Sequence, residues 1–418
     1  MSLRHPAAAI QGLSVLNNVI SGNGANGVEI EATSLTPGNI VRGNFIGTNA
    51  SGTAIAASPN FGINGNGFYG VEINGSPANR IGGPGLGAKN VISGNGLHGV
   101  RITGTAAINN VVQGNYIGTD VTGPVDMGNL IDGVAIAVAS NNTIGGSVAG
   151  EGNLISGNDG NGVEIFNSGT TNNRVLGNQI GTDVTGMWSL PNLRGVYIFN
   201  ANNNRVGGVG VNDGNLISGN LNEGVFLRGT SSLNTIEGNS IGVDMNGGSL
   251  GNSGNGVSVE GSNNRIGGLV TVVGIFTSPN SPDNAANVIA FNGGNGVSID
   301  TGTRNAIRRN SIFENVGLGI NHSNGGNTLL AAPVITTSSP GMIVAYTTAG
   351  IAGRLEFFVA DSLGSGEGAV FVTDRTTTGI AGTIALSGLV PNGELLVATL
   401  TDANGNTSKF SNPFVVSW

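Results

Sequence analysis

The sequence predicts an all-β chain: a parallel β-helix of about ten rungs followed by a small antiparallel β-sandwich. Three observations carry this. A Gly-aliphatic-x-aliphatic unit recurs ten times between Gly27 and Ile320, from GVEI at 27 to GLGI at 317. Each copy is followed by two short apolar-alternating segments that open on Asn, such as NVV at 110 and NYI at 115. Near Ala331 this register gives way to Thr-rich alternating segments. One triplet of short strands cannot bury its own apolar face, but triplets stacked about 4.8 Å apart build a continuous core.

The elements follow in chain order. Residues 1–17, with AAAI and LSVL, are expected to form an N-terminal cap, and residues 18–330 the solenoid. Within it Val28, Val71 and Val100 point inward with Ile30, Ile73 and Ile102 beside them, because side chains alternate along a strand. The Asn that opens each strand is placed to ladder its amide along the stack, and Gly supplies positive φ at the corners. Two loop types recur: IGTD at Ile117 and Ile180, and NxIGG at Asn79, Asn142 and Asn264. Residues 331–418 hold seven short strand candidates, from VITTSS to FSNPFVVSW, which fits a β-sandwich that closes the open end of the solenoid.

Composition removes several function classes. The 75 Gly lack a three-residue period, which excludes collagen. A net charge of -8 with only Lys89 and Lys409 as lysines argues against nucleic acid, which needs a basic stripe. Without cysteine there is no disulfide and no thiolate-bound zinc. No stretch has the apolar length of a membrane span. The start, MSLRHPAAAIQGLSV, does not read as a signal peptide, so an exported protein would have its leader missing here.

The units NVISGNGLHGVRI, NLISGNDGNGVEI and IGTDVTG resemble the secreted bacterial right-handed parallel β-helix repeat proteins of the pectate-lyase-like superfamily. The tail LEFFVAD…GEG…TDANGNTSKFS is similar to the small β-domain that often follows such repeats. The resemblance implies a right-handed coil. It does not select one activity, because the superfamily spans lyases, hydrolases, epimerases and adhesins.

Function is sought in the columns that face outward. The free position of the motif reads Glu29, Glu72, Arg101, Ala135, Glu164, Tyr197, Phe226, Ser258, Ser298, Gly319, while other outward positions are mostly Asn, Ser, Thr or Gly. Two constellations result. Glu164, Phe166, Arg194, Tyr197, Phe199, Phe226 and Arg228, with Trp188 leaning in from a loop, form an aromatic and charged patch suited to stacking on sugar rings. The alternative is cross-rung packing that only stabilises the sheet. Tyr69, His98 and Asp132 each precede the motif Gly on adjacent rungs, with Glu72 and Arg101 three residues after Tyr69 and His98. A base, an acid and an Arg for a uronate suit β-elimination or epimerisation. Glu164, Glu223 and Glu260 supply carboxylates for glycoside hydrolysis, with no pair singled out. Asp120, Asp183 and Asp244 recur in the Thr-Asp loops; an Asx-turn is the main reading and calcium the alternative, with no other cofactor expected.

The leading expectation is an extracellular or cell-surface rod that binds polysaccharide or a surface glycan, or serves as an adhesive or structural element. The alternative is a carbohydrate-active enzyme on the same face, a lyase or epimerase ahead of a hydrolase.

Overall fold

The computed structural model describes residues 2–4, 12–31, 38–56, 65–268, 285–339, 343–361, 366–386 and 389–417. Three parallel sheets run along the molecule, each strand paired with its counterpart one rung before and one rung after. Sheet A contains the motif strands, from Val28–Glu31 to Ile320–His322, with Ser2–Arg4 added at its edge. Sheet B runs from Ser14–Leu16 to Ala306–Arg308, and sheet C from Val19–Ile20 to Ser311–Phe313. The chain is a parallel β-helix. Solenoid pairing thus begins before residue 18, and residues 5–11 of the expected N-terminal cap lie outside the described residues.

The core is the stack that the motif encodes. Val28, Val71, Val100, Val134, Val163 and Val196 are fully buried, as are Ile30, Ile73, Ile102, Ile136, Ile165 and Ile198. The motif Gly answers a close approach: a Cβ on Gly99 would lie 2.7 Å from the Gly133 carbonyl and 2.7 Å from the Ile117 side chain. One register differs from expectation. In the last copy Gly319, not Gly317, takes the motif place, so Asn321 pairs with Ser298 and His322 with Ile299. A shift of two residues keeps the in–out alternation, so the core pattern alone does not reveal it.

Three Asn ladders, buried except at the exposed starts Asn18 and Asn23, hold the corners. One runs from Asn39 through Asn142 to Asn327, a second from Asn18 through Asn115 to Asn310, a third from Asn23 through Asn158 to Asn315. The amide-to-amide bonds along them span 2.7 to 3.2 Å. Nearly every side-chain oxygen also accepts the backbone N–H of the Asn one rung earlier, and most amides donate to a strand carbonyl, as Asn158 does to Ile117 at 3.2 Å. The turn groups that leave the sheets are satisfied in this way.

The Thr-Asp loops fold over sheet C. At Gly123 and Gly186 φ is +93° and +70°, and a Cβ would lie 3.2 Å from Leu154 and 3.0 Å from Leu216. Leu154 and Leu216 point outward, yet the loops bury them. Sheets A and B keep the open faces.

After a short 3-10 turn at Gly326–Leu329 the chain forms two antiparallel sheets, one of Val334–Ser339, Ile343–Thr347 and Gly382–Ala385, the other of Gly368–Thr378, Ala352–Ala360, Leu395–Asp402 and Phe414–Val415. This domain closes the solenoid. Glu367, fully buried, accepts the N–H of Asn315 at 2.9 Å and its amide at 3.1 Å, standing where the next rung's Asn would stand. Glu356, also fully buried, accepts from the Arg308 guanidinium at 3.0 Å and from the Arg309 N–H at 2.9 Å. Asn327 donates to the Thr407 carbonyl at 3.0 Å.

His322 occupies the inward Ile column at this junction, buried, with Nε2 unpartnered. Burial, and then the Lys409 ammonium, hold its pKa at about 4, below the ordinary 6.5. A depressed pKa means the neutral imidazole contributes stability above about 6.5 that is lost as pH falls towards 4. Thermal melts of His322→Leu should therefore lose much of the wild-type decline in Tm between pH 7 and about pH 4; an unchanged slope would remove His322 as its source. Asn158→Ala leaves two donors of Asn129 unpaired and should cost about 2–3 kcal/mol in urea unfolding, against at most about 0.5 for exposed Asn74→Ala.

Candidate active site

Sheet A brings Tyr69, His98 and Asp132 onto three successive rungs at the turn that enters each strand, because each lies one residue before a motif Gly. The Tyr69 and His98 rings stack, 5.6 Å apart and 4° from parallel. Arg101 donates to the Tyr69 hydroxyl and lies 3.8 Å from Glu72, whose other oxygen accepts from the Asn26 amide at 2.8 Å. The Asp132 N–H donates to His98 Nδ1 at 3.2 Å, and Nδ1 lies 3.1 Å from Asp132 Oδ2. His98 is 13% exposed and Asp132 only 2%.

Proton placement follows from this geometry. Asp132 Oδ1 accepts from the Asn161 N–H at 2.6 Å and its amide at 3.0 Å, whereas buried Oδ2 has no such donor. With Nδ1 accepting the Asp132 N–H, the neutral ring carries its proton on Nε2, and Nδ1 and Oδ2 face one another as acceptors. Burial, the Asp132 charge and a hydrogen bond to Asp132 push the Glu164 pKa up to about 8. Glu164 thus keeps its proton near neutrality, in a hydrogen bond with Asp132. Nε2 is the nitrogen of His98 left for other partners. A Cβ on Gly160 would lie 2.6 Å from Asp132 Oδ1, so the glycine makes this approach possible. Phe68, Leu97 and Ile131, joined rung to rung just before the cluster, form an apolar rim.

Glu164 therefore belongs with the acid–base cluster, not with the aromatic patch. The hint available in sequence was its position in the motif column, two rungs beyond Arg101 across Ala135. Carboxyls that share a proton leave no gap for a glycosidic bond, which hydrolases hold between carboxyls at least about 5 Å apart. Glu223 is bound to Arg194 at 2.7 Å, and Glu260 accepts from the Gly229 N–H at 2.8 Å.

The aromatic patch differs from expectation. Tyr197 and Phe226 are 8% and 9% exposed, not flat to solvent. Tyr197 packs on Phe199 at 6.1 Å and on Phe226 at 5.7 Å. The Arg194 guanidinium lies over both Tyr197 and Phe226, and Arg228 donates to the Tyr197 hydroxyl at 3.2 Å. Cross-rung stacking under arginine covers these rings. Phe166 and Phe199 stay half-buried, and Trp188 stands 74% exposed on its loop.

In the Thr-Asp loops the carboxylates serve their own turns. Asp120 accepts from Thr122 and from the Gly123 and Val125 N–H groups. Burial raises the Asp120 pKa, but the Thr122 hydroxyl and these backbone donors outweigh it, and the net shift is downward. Asp183 accepts from Thr185, Met187 and Trp188, and Asp244 from Asn246 and Gly248. Among the described residues no three His, Asp or Glu are grouped to hold a metal ion, and no helix is long and apolar enough to cross a membrane.

A raised carboxyl pKa favours the folded state below the ordinary value of 4.5, and that advantage is lost as pH rises through about 8. Glu164→Gln should therefore flatten the fall in Tm between about pH 5 and about pH 9, read by thermal melts in one buffer series. An identical slope in wild type and variant would place the shared proton elsewhere.

No family model matches this chain, and no curated protein matches it. Among solved structures the chain is similar to the periplasmic alginate epimerase AlgG, at 14% identity over 72% of each chain with a TM-score of 0.31. It is similar to the A-module of the mannuronan C-5 epimerase AlgE6 of Azotobacter vinelandii, at 15% identity over 76% of this chain and 71% of that one, TM-score 0.31. It is also similar to the enzymatically active domain of tailspike protein 2 of bacteriophage CBA120, at 10% identity over 94% of this chain and 72% of that one, TM-score 0.29.

Proposed function

We propose that the chain is an extracellular enzyme that acts on a uronate-containing polysaccharide by moving a proton at the ring carbon next to the carboxylate. The observation that supports this is the meeting of His98, Asp132 and Glu164 with the Tyr69–Arg101 pair on neighbouring rungs of one open face. Arg101 has donors beyond the one given to Tyr69, and these take the uronate carboxylate and stabilise the charge that spreads into it. With the imidazole proton moved from Nε2 to Nδ1, where Asp132 Oδ2 accepts it, His98 Nε2 is free to remove the substrate proton, and the buried Asp132 carboxylate stabilises the imidazolium that forms. The Tyr69 hydroxyl, stacked against His98, is the donor for the second half-reaction. Returned to the opposite face of the same carbon, the proton gives the epimer. Delivered to the glycosidic oxygen as that bond breaks, it gives an unsaturated sugar by elimination. The apolar rim lowers the local dielectric in which these charges act.

A binding or adhesive rod remains the second reading. Half-buried Phe166 and exposed Trp188 favour it, as rings open to a sugar face.

The test is incubation with polyuronates and neutral glycans in deuterated water. The expected result is deuterium at the ring carbon next to the carboxylate, or ultraviolet absorbance of a new double bond, on a polyuronate only. His98→Ala and Tyr69→Phe should each lower the rate by about 10²–10⁴-fold while the circular dichroism stays unchanged. Full activity in His98→Ala, or no deuterium and no double bond on any polyuronate, would overturn the enzyme reading.

A further inference from the structure

Sheet B carries a basic column that its fold does not require. Its outward register runs Ile40, Arg80, Val111, Thr143, Arg174, Arg205, Thr235, Arg265, Ala306. Arg42 lies on the same face, two residues after Ile40. Arg174 and Arg205 are direct neighbours on adjacent strands, where like charges repel. Arg205 and Arg265 are held by one buried carboxylate, Glu237, at 2.5 and 2.6 Å. Each reaches over the rung between them, so their guanidiniums are fixed while a quarter to a third of each side chain stays exposed. Arg42, Arg80 and Arg174 are exposed. At the N-terminal end, Arg42 and Arg80 line a groove of about 650 Å³ with Leu16, Ile40, Pro84 and Leu86.

Sheet A is mixed, with Glu29, Glu31 and Glu72 on its strands against Arg4, Arg101 and Arg228. A chain of net charge -8 thus keeps one face basic. We infer that the sheet B face is a second binding surface, whose ligand is a linear acidic polysaccharide lying along the rod. Guanidiniums one, two and three rungs apart meet a polymer that repeats its anions, rather than one compact anion. No aromatic ring stands in this column among the described residues, so it offers no stacking platform of the kind that single-stranded nucleic acid uses. Asp213, on the loop beside the column, interacts with the charges of Arg205 and Arg174 and tempers the site. This surface is independent of the chemistry assigned to sheet A.

The experiment is affinity electrophoresis of the whole chain through gels holding polygalacturonate, alginate or neutral dextran, at low and high salt. All proteins also carry Arg101→Ser, which removes the anion contact of sheet A. The expected result is salt-sensitive retardation by a polyuronate and none by dextran, weakened at least about tenfold by Arg80→Ser with Arg174→Ser. Asp213→Asn should retard more strongly, a gain that misfolding cannot imitate. Retardation that is unchanged in Arg80→Ser/Arg174→Ser, or that is equal on dextran, would overturn the proposal. So would binding of an oligonucleotide or an anionic vesicle as tightly as polyuronate, with the same arginine dependence.

Discussion

The amide ladders are the constraint on which the other features rest. A solenoid turn leaves the sheet at every corner, and each departure strands backbone groups in the interior. Asn answers this with both ends of its amide: oxygen to the rung before, nitrogen to the rung after and to a strand carbonyl. Since each ladder locks one residue to its counterpart on the next rung, it fixes register along the whole rod. Register in turn decides which residues share an outward column. A slip of one residue would turn His98 and Asp132 towards the core and a Gly outward.

A ladder needs an end, and that gives the C-terminal domain its place. Glu367 offers two carboxylate oxygens where a further Asn would offer one, and so takes both donors of Asn315. Glu356 and the Thr407 carbonyl meet the last rung in a similar way. Phe410 packs against both the solenoid core and the aromatic cluster around Phe358. The sandwich is therefore a terminator whose polar groups are matched to the repeat it stops. His322, set in a column of aliphatics beside Lys409, is a point of this junction where a buried ring nitrogen lacks a hydrogen-bond partner.

Much of this was legible in sequence because repetition makes inward and outward positions explicit. The Val and Ile stacks, the Asn ladders and the seven C-terminal strands follow from periods of two residues and of one rung. Tyr69, His98 and Asp132 were legible as a group because all three stand one place before a motif Gly. What escaped was set by side-chain reach rather than register. Glu164 leans to Asp132 across the sheet, and Arg194 and Arg228 fold over Tyr197 and Phe226. Neither bend is written in spacing. The sheet B arginines were visible in the units NRIGG and NRV, but as parts of strand openings they carried no sign of forming one column.

The place of the acid–base cluster on the rod has its own physical reason. A β-face is flat, and a carboxyl on it is hydrated unless neighbours on both adjacent rungs shield it. The motif column falls to Ala at Ala135 and Ala137, leaving a trough between Arg101 and Thr103 on one side and Glu164 and Phe166 on the other. Both alanines are almost fully buried although they point outward, so the longer side chains close over the trough. Within it the Asp132–Glu164 pair loses water, and loss of water is the largest cause of the raised Glu164 pKa. A longer residue at 135 would fill the trough and push Glu164 back into solvent, where it would ionise as an ordinary carboxylate. The small residues in the middle of the strip thus turn a row of charges into a proton-sharing pair, and they do so without adding a functional group of their own.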